Sequence, residues 1–326
     1  MKLFPLHLIP VHTTINFMRY RHIALAVMWV FFACSLALVA VKGFNLALDF
    51  TGGTVIEARF RQSADIDQVR HRLIQSGYPN VQVQNFGSGT DVLVRLQLHE
   101  ERGRDPITQQ ASQERIAQQI VAVMGEAANP ASLLRHEYVG PQIGKELTKN
   151  GIYAAIFVIV GFLIYISVRF EWKFAVVASL TTLFDVMVTA GFFSVSGYEF
   201  DLNTLAGLLA VMGFSINDTI VVFDRVRENF KQSRLTPFEI MNRSINQTLS
   251  RTIITSFVFF LSVLALYLFG GGSLEGLAVT QMIGTITGTL SSIFFACPML
   301  TVGRLKVSRA DLMPKAKDLE ALKRRP

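Results

Sequence analysis

Residues 202–223 read LNTLAGLLAVMGFSINDTIVVF, an apolar run whose one ionisable side chain is Asp218. A bilayer core about 30 Å thick takes roughly 20 helical residues, so this stretch is read as a membrane-spanning helix. Five more blocks resemble it: Ile23 to Val41, Ile152 to Val168, Phe174 to Val195, Ile253 to Phe269 and Leu277 to Val302. The shortest need a flanking turn to complete the span. The whole chain of 326 residues is 51% hydrophobic and 17% charged, with a mean hydropathy of +0.39. Soluble domains carry about 25% charged residues, so the balance excludes an ordinary soluble enzyme. Cys34 and Cys297 both fall inside apolar blocks, and no disulfide framework is expected. The first block follows Arg19, Arg21 and His22, as a signal peptide would. It is too long for an apolar signal core of about 7–15 residues, and no small-residue cleavage pattern follows. It is read as a retained helix.

The formal charge of +7 is a topology signal. Lys2, Arg19 and Arg21 precede the first span, and Arg169 and Lys173 lie between the second and third. Arg225, Arg227, Lys231, Arg234, Arg243 and Arg251 follow the fourth, and Arg304 to Arg325 form a basic tail. The loops Ser196 to Asp201 and Gly270 to Gly276 contain neither Lys nor Arg. Basic loops stay on the cytoplasmic side, so both termini are expected there. The organisation expected is a cytoplasmic segment 1–22, a first span 23–41, an external domain 42–150, a five-span bundle 151–302 and a cytoplasmic tail 303–326. The tail suits anionic lipid headgroups.

The external segment has equal numbers of basic and acidic residues, so it carries no signature of nucleic-acid binding. Its periodicities predict a strand over Thr54 to Phe60, a helix over Asp65 to Gly77, strands over Val81 to Phe86 and Asp91 to Leu98, a helix over Ile107 to Met124 and a strand around Leu134 to Val139. Gly87-Ser88-Gly89-Thr90 reads as the turn of a hairpin. That order is the ferredoxin-like βαββαβ pattern. The fold class expected is therefore a membrane α-helical bundle of six spans with an α+β ferredoxin-like domain between the first two. His71, His99 and His136 are scattered, and nothing has the spacing of metal ligands, a phosphate loop or a catalytic triad. No cofactor, metal or enzyme activity is expected.

Two carboxylates lie within spans, Asp185 in the third and Asp218 in the fourth. Each costs about 2.5–3.5 kcal/mol on an insertion scale, so each needs either a packing hydrogen bond or a proton-carrying role. Around Asp218, Gly213, Ser215, Asn217 and Thr219 enrich the span in small and polar groups that let helices approach. In the sixth span Gln281, Gly284, Thr285, Gly288 and Ser292 recur at spacings that share one helical face. Arg251, at the start of the fifth span, is expected at a depth similar to that of Asp218. Arginine proximity and desolvation act on a carboxylate in opposite senses, so a site balanced between them can load and release a proton.

Four motifs then converge. Asp49-Phe50-Thr51-Gly52-Gly53 resembles the D-F-x-G-G signature of the SecD/SecF family of export proteins. Gly213 to Asp218, followed by Asp224-Arg225-Val226-Arg227-Glu228-Asn229, is similar to that family's fourth-span region. Thr248 to Ser256 with Leu266 to Gly271 resembles its fifth-span region, and Val139-Gly140-Pro141 fits before the second span. The likeness covers Phe17 to Val302 and favours the SecF members, because SecD members have a much larger external region. It implies an inner-membrane subunit of the resistance-nodulation-division superfamily that pairs with SecD, associates with the SecYEG channel and in many bacteria YajC, and assists export of a translocating polypeptide with the proton-motive force. It also implies a proton relay built on Asp218 with Arg251 as basic partner and Asp185 as a second carboxylate. Family members often carry His before the third-span Asp, whereas this chain has Phe184. Gly52 and Gly53 suit either a hinge or a tight turn into a strand. The alternatives are a passive scaffold of the same complex and a half-unit of a small-molecule exporter.

Overall fold

The computed structural model describes residues 13–78, 81–86, 89–96, 106–126, 128–139 and 141–312. Helix α1 (Arg21–Lys42) is followed by strand β1 (Gly53–Phe60), helix α2 (Ile66–Gln75), strands β2 (Gln82–Phe86) and β3 (Asp91–Leu96), helix α3 (Pro106–Met124) and strand β4 (Ala131–Val139). Five long helices complete the chain: α4 (Pro141–Arg169), α5 (Trp172–Ser196), α6 (Leu202–Gln232), α7 (Pro237–Phe269) and α8 (Gly272–Ser291). Helices α1 and α4 to α8 contain the six runs long and apolar enough to cross a membrane. The sixth run, Leu274–Met299, continues past α8 through a π-helical segment, Ser292–Ala296. The chain divides into two units, one of residues up to Asn45 and from Tyr153 onward, the other Leu46–Ile152.

In the second unit the four strands form one antiparallel sheet in the order β2-β3-β1-β4. Alternation along β1 sends Ile56, Ala58 and Phe60 to one face, where Val92, Val94 and Leu96 of β3 join them. Val69 and Leu73 of α2 and Ala117, Ile120 and Met124 of α3 cover that face. Asp65 caps α2 by accepting from the backbone N–H of Asp67 and Gln68, and Gly77 supplies the positive φ of 96° that ends the helical segment. The expected elements fall within a few residues of the observed ones. Pro79, Gly87, Ser88, Leu98, His99, Gly140 and the basic tail from Lys315 lie outside the described residues.

The membrane unit has inner and outer helices. Between 50% and 56% of the apolar windows of the third, fourth and sixth spans is buried within the protein, against 6% to 17% for the first, second and fifth. Glycine explains the closeness of the inner helices. A Cβ on Gly284 would lie 2.1 Å from Val211 Cγ2, and one on Gly207 would lie 2.9 Å from Thr280 Cβ. The fourth and sixth spans therefore meet almost backbone to backbone, as membrane helices do where small residues face each other. Gly191 of α5 similarly receives Ser35 of α1, whose Cβ would be 2.6 Å from an added Cβ.

Two helices exceed the apolar blocks. α6 runs on to Gln232 and α7 starts at Pro237, within a capping box of Thr236 and Glu239. These polar extensions share one buried cluster, with Val226 and Phe230 of α6 and Ile240, Met241 and Ile245 of α7. Asn229 donates to Ser244 Oγ and Gln247 Oε1, both at 2.9 Å. Hydropathy marks only the stretch that lipid can surround, whereas backbone hydrogen bonding continues as far as capping allows.

Candidate functional site

Asp185 lies midway along the third span and is completely buried. Its Oδ2 accepts hydrogen bonds from Ser215 Oγ of the fourth span and, at 2.9 Å, from Ser291 Oγ of the sixth. The carboxylate thus ties three inner helices together. Gly288 lies beside this contact: a Cβ there would stand at ordinary van der Waals distance, 3.4 Å from Ser215 Cα and 3.8 Å from Asp185 Oδ2. Asp185 Oδ1 has no hydrogen-bond partner among the described residues.

Asp218, one turn along α6 from Ser215, is 2% exposed. Its Oδ2 accepts from Ser256 Oγ of the fifth span at 3.3 Å, and Ser256 Oγ in turn accepts from Thr289 Oγ1 of the sixth at 2.8 Å. The two acids therefore share supports. Ser215 and Asp218 lie on one face of α6, and Thr289 and Ser291 are separated by a single residue of the sixth span. The π segment begins immediately after Ser291. Such insertions break the regular helix and recur at functional positions.

The expected polar face of the fourth span divides in two. Ser215, Asp218 and Thr219 turn inward and are buried, but Gly213 and Asn217 are exposed, and nothing lies within 4 Å of a Cβ built on Gly213. At about 100° per residue, positions 213 and 217 stand roughly opposite 215 and 219, so the eight-residue stretch cannot act as one surface. In the sixth span Gln281, Gly284, Thr285, Gly288 and Ser292 are all buried. Gln281 Nε2 donates to Gly207 O at 3.5 Å and Thr285 Oγ1 to Gln281 O at 2.7 Å.

Arg251 is exposed and makes no salt bridge with Asp218; Ser256 occupies the level of the acid instead. Five residues earlier on α7, Arg251 is about 7.5 Å lower at 1.5 Å per residue. Phe184 is buried and stacks on Phe295 of the π segment, with ring centroids 5.2 Å apart, so this position packs the third span against the sixth rather than facing an acid. Ser256, Thr289 and Ser291 were missed in the sequence. Counting turns from each carboxylate across antiparallel neighbours would have found them.

In the other unit, Asp49 and Phe50 form a helical turn, Leu48–Thr51, that leads into β1. Gly52 and Gly53 are buried with φ of 66° and 127°. Gly144 of α4 is packed so closely there that a Cβ on it would lie 3.0 Å from Gly52 N and 3.4 Å from Phe50 O. Both glycines occupy backbone conformations that other residues rarely adopt. Their packing fits a tight turn into the strand better than a hinge.

Fold and site define a multi-pass membrane protein whose inner helices enclose two acids. The comparisons give that class a family. Residues 119–305 match the family described as protein export membrane protein SecD/SecF, C-terminal, and residues 37–64 match the SecD/SecF GG motif. The protein translocase subunit SecF of Pseudomonas aeruginosa is 43% identical over 310 residues, 94% of this chain and 96% of the relative. That of Escherichia coli O157:H7 is 40% identical over 86% of this chain and 85% of the relative. The crystal structure of SecDF, a translocon-associated membrane protein from Thermus thermophilus, aligns with a TM-score of 0.78 and 36% identity. It matches 91% of this chain, which spans only 39% of the SecDF chain. This chain belongs to the SecD/SecF family of protein export membrane proteins, on its SecF side.

Proposed function

We propose that this chain works with SecD as a proton-driven subunit of the protein translocase, in which Asp218 gains and loses the proton. The carrying observation is that Asp218 is buried among helices yet held by one hydroxyl, Ser256, with no salt bridge among the described residues. A carboxylate so weakly tied can change protonation and thereby repack the helices around it. Arg251 contributes charge from below, and Asp185 is the second acid of the relay. Movement of one elementary charge through the membrane potential supplies about 2.3 kcal/mol per 100 mV, enough to shift a two-state equilibrium more than tenfold.

The remaining roles follow the family. Both termini are cytoplasmic, in keeping with the basic loops, and residues 42–150 form a periplasmic domain. Its strand order β2-β3-β1-β4 supports a ferredoxin-like fold. SecYEG, YajC and the exported polypeptide are the partners, and the basic tail contacts anionic lipid. The membrane is the bacterial inner membrane.

The test is export into vesicles energised by a proton gradient, using the complex with SecD. Asp218→Asn is expected to remove the gradient-dependent part of export while SecD still co-purifies, and Arg251→Met to reduce it. Gradient dependence equal to wild type in Asp218→Asn, at equal assembly, would leave only a scaffold role.

A further inference from the structure

Most buried threonines of the spans satisfy their hydroxyls on their own helix. Thr181 donates to Val177 O at 2.8 Å, Thr189 to Asp185 O at 2.7 Å, Thr280 to Gly276 O at 2.7 Å and Thr285 to Gln281 O at 2.7 Å. Thr182 and Thr219 are just as buried, at 1% and 0% exposure, yet their hydroxyls have no partner among the described residues. Asp185 Oδ1 is in the same condition. Thr252 Oγ1, 2% exposed, is also without a partner among the described residues, but it lies on the fifth span, one turn before Ser256. Unanswered polar groups in a lipid-shielded interior call for an explanation, because buried polar atoms without partners are rare and costly.

The offsets of Thr182, Thr219 and Asp185 along their helices point to one region. Thr182 precedes Asp185 by three residues on α5, and Thr219 follows Ser215 by four on α6. Ser215 is the residue that touches Asp185. The two helices are joined by a short loop and run antiparallel, so Thr182 and Thr219 both lie about one turn from the Asp185–Ser215 contact, toward the basic ends of the spans. One turn is about 5 Å, within reach of a single bridging molecule and its hydrogen-bonded neighbour.

We propose that Asp185 Oδ1, Thr182 and Thr219 form an internal water site between the third and fourth spans. A water molecule needs two to four polar partners. It can donate to the carboxylate oxygen and accept from a threonine hydroxyl, while the second threonine holds the same molecule or a second one. The occupant is water or its protonated form, since the set offers one acid oxygen and two hydroxyls and no basic group. The site gives Asp185 a proton-exchange partner that Ser215 and Ser291 cannot provide, because both already donate to the other oxygen. In this respect the inference deepens the relay reading, and its relevance to export rests on that reading.

The decisive measurement is a cryo-electron microscopy map of the complex with SecD at a resolution that shows ordered solvent. Density is expected within hydrogen-bond distance of Asp185 Oδ1 and of Thr182 or Thr219. A dry contact there, or a protein donor on Oδ1, would overturn the site. In Thr182→Val/Thr219→Val the density is expected to vanish with the Ser215 and Ser291 contacts retained. If that variant fails to assemble, the wild-type map alone decides. Water seen at the site together with normal coupling in Asp218→Asn would remove the relay reading and leave the water site standing.

Discussion

The interiors of the two units are built on opposite rules. Among the described residues of Leu46–Ile152, Thr54 is the only buried polar side chain; the rest of that core is Ile56, Leu73, Val94, Ile120 and their like. The membrane unit buries Thr181, Thr182, Asp185, Ser215, Asp218, Thr219, Ser291 and Ser292, while Phe157 and Val168 remain 80% and 84% exposed. Water expels apolar surface and so fills a soluble core with it. Lipid tails do not, and the contact between membrane helices is decided by close approach and hydrogen bonds. The inside of the bundle is therefore where small and polar residues collect, and where chemistry can be placed.

The sharpest contrast comes from removing bulk in one interior and adding it in the other. Leu73→Ala in the unit Leu46–Ile152 should cost about 2–5 kcal/mol, which is a rise of roughly thirtyfold or more in amide exchange of β1 and β3 in the full chain. Unchanged exchange would mean that this core is not what holds the domain. Gly284→Leu adds bulk where Val211 leaves none. Overpacking costs about 1–3 kcal/mol, so the yield of monodisperse protein should fall on the order of tenfold. The outward Gly213→Leu is expected to purify like wild type. Equal yields of the two variants would break the small-residue account of the bundle.

Smaller effects sharpen the unit Leu46–Ile152. Asp65→Ala removes the cap of α2 and should cost about 1 kcal/mol, seen as faster exchange confined to the first turn of that helix. Glu57, half-buried on the open face of the sheet, has its pKa raised from the usual 4.5, mainly by burial, against the opposing charge of Arg135 and with Glu137 and Asp91 adding to the rise. The folded domain then binds this proton more tightly than the unfolded chain does. Its contribution to stability is greatest below pH 4.5 and declines as pH climbs through the raised value. Glu57→Gln should flatten that decline in a pH series of domain exchange rates, and an unaltered slope would assign it to other groups.

Six spans, their order and the strands and helices between the first two were legible because each depends on local pattern: long apolar runs, alternation, caps and glycine turns. The two acids were legible as well, since a charge in an apolar run is conspicuous without a fold. What the sequence could not supply was the partnership of these groups. Asn217 and Asp218 are adjacent in the chain and about 100° apart around the helix, yet one is exposed and the other buried, and it is Ser256 rather than Arg251 that hydrogen-bonds Asp218. Local pattern follows from each residue's own preference for water or lipid. Which hydroxyl meets which carboxylate depends on helix rotation and depth, and these are settled only when glycines such as Gly207 and Gly284 let the helices close on one another.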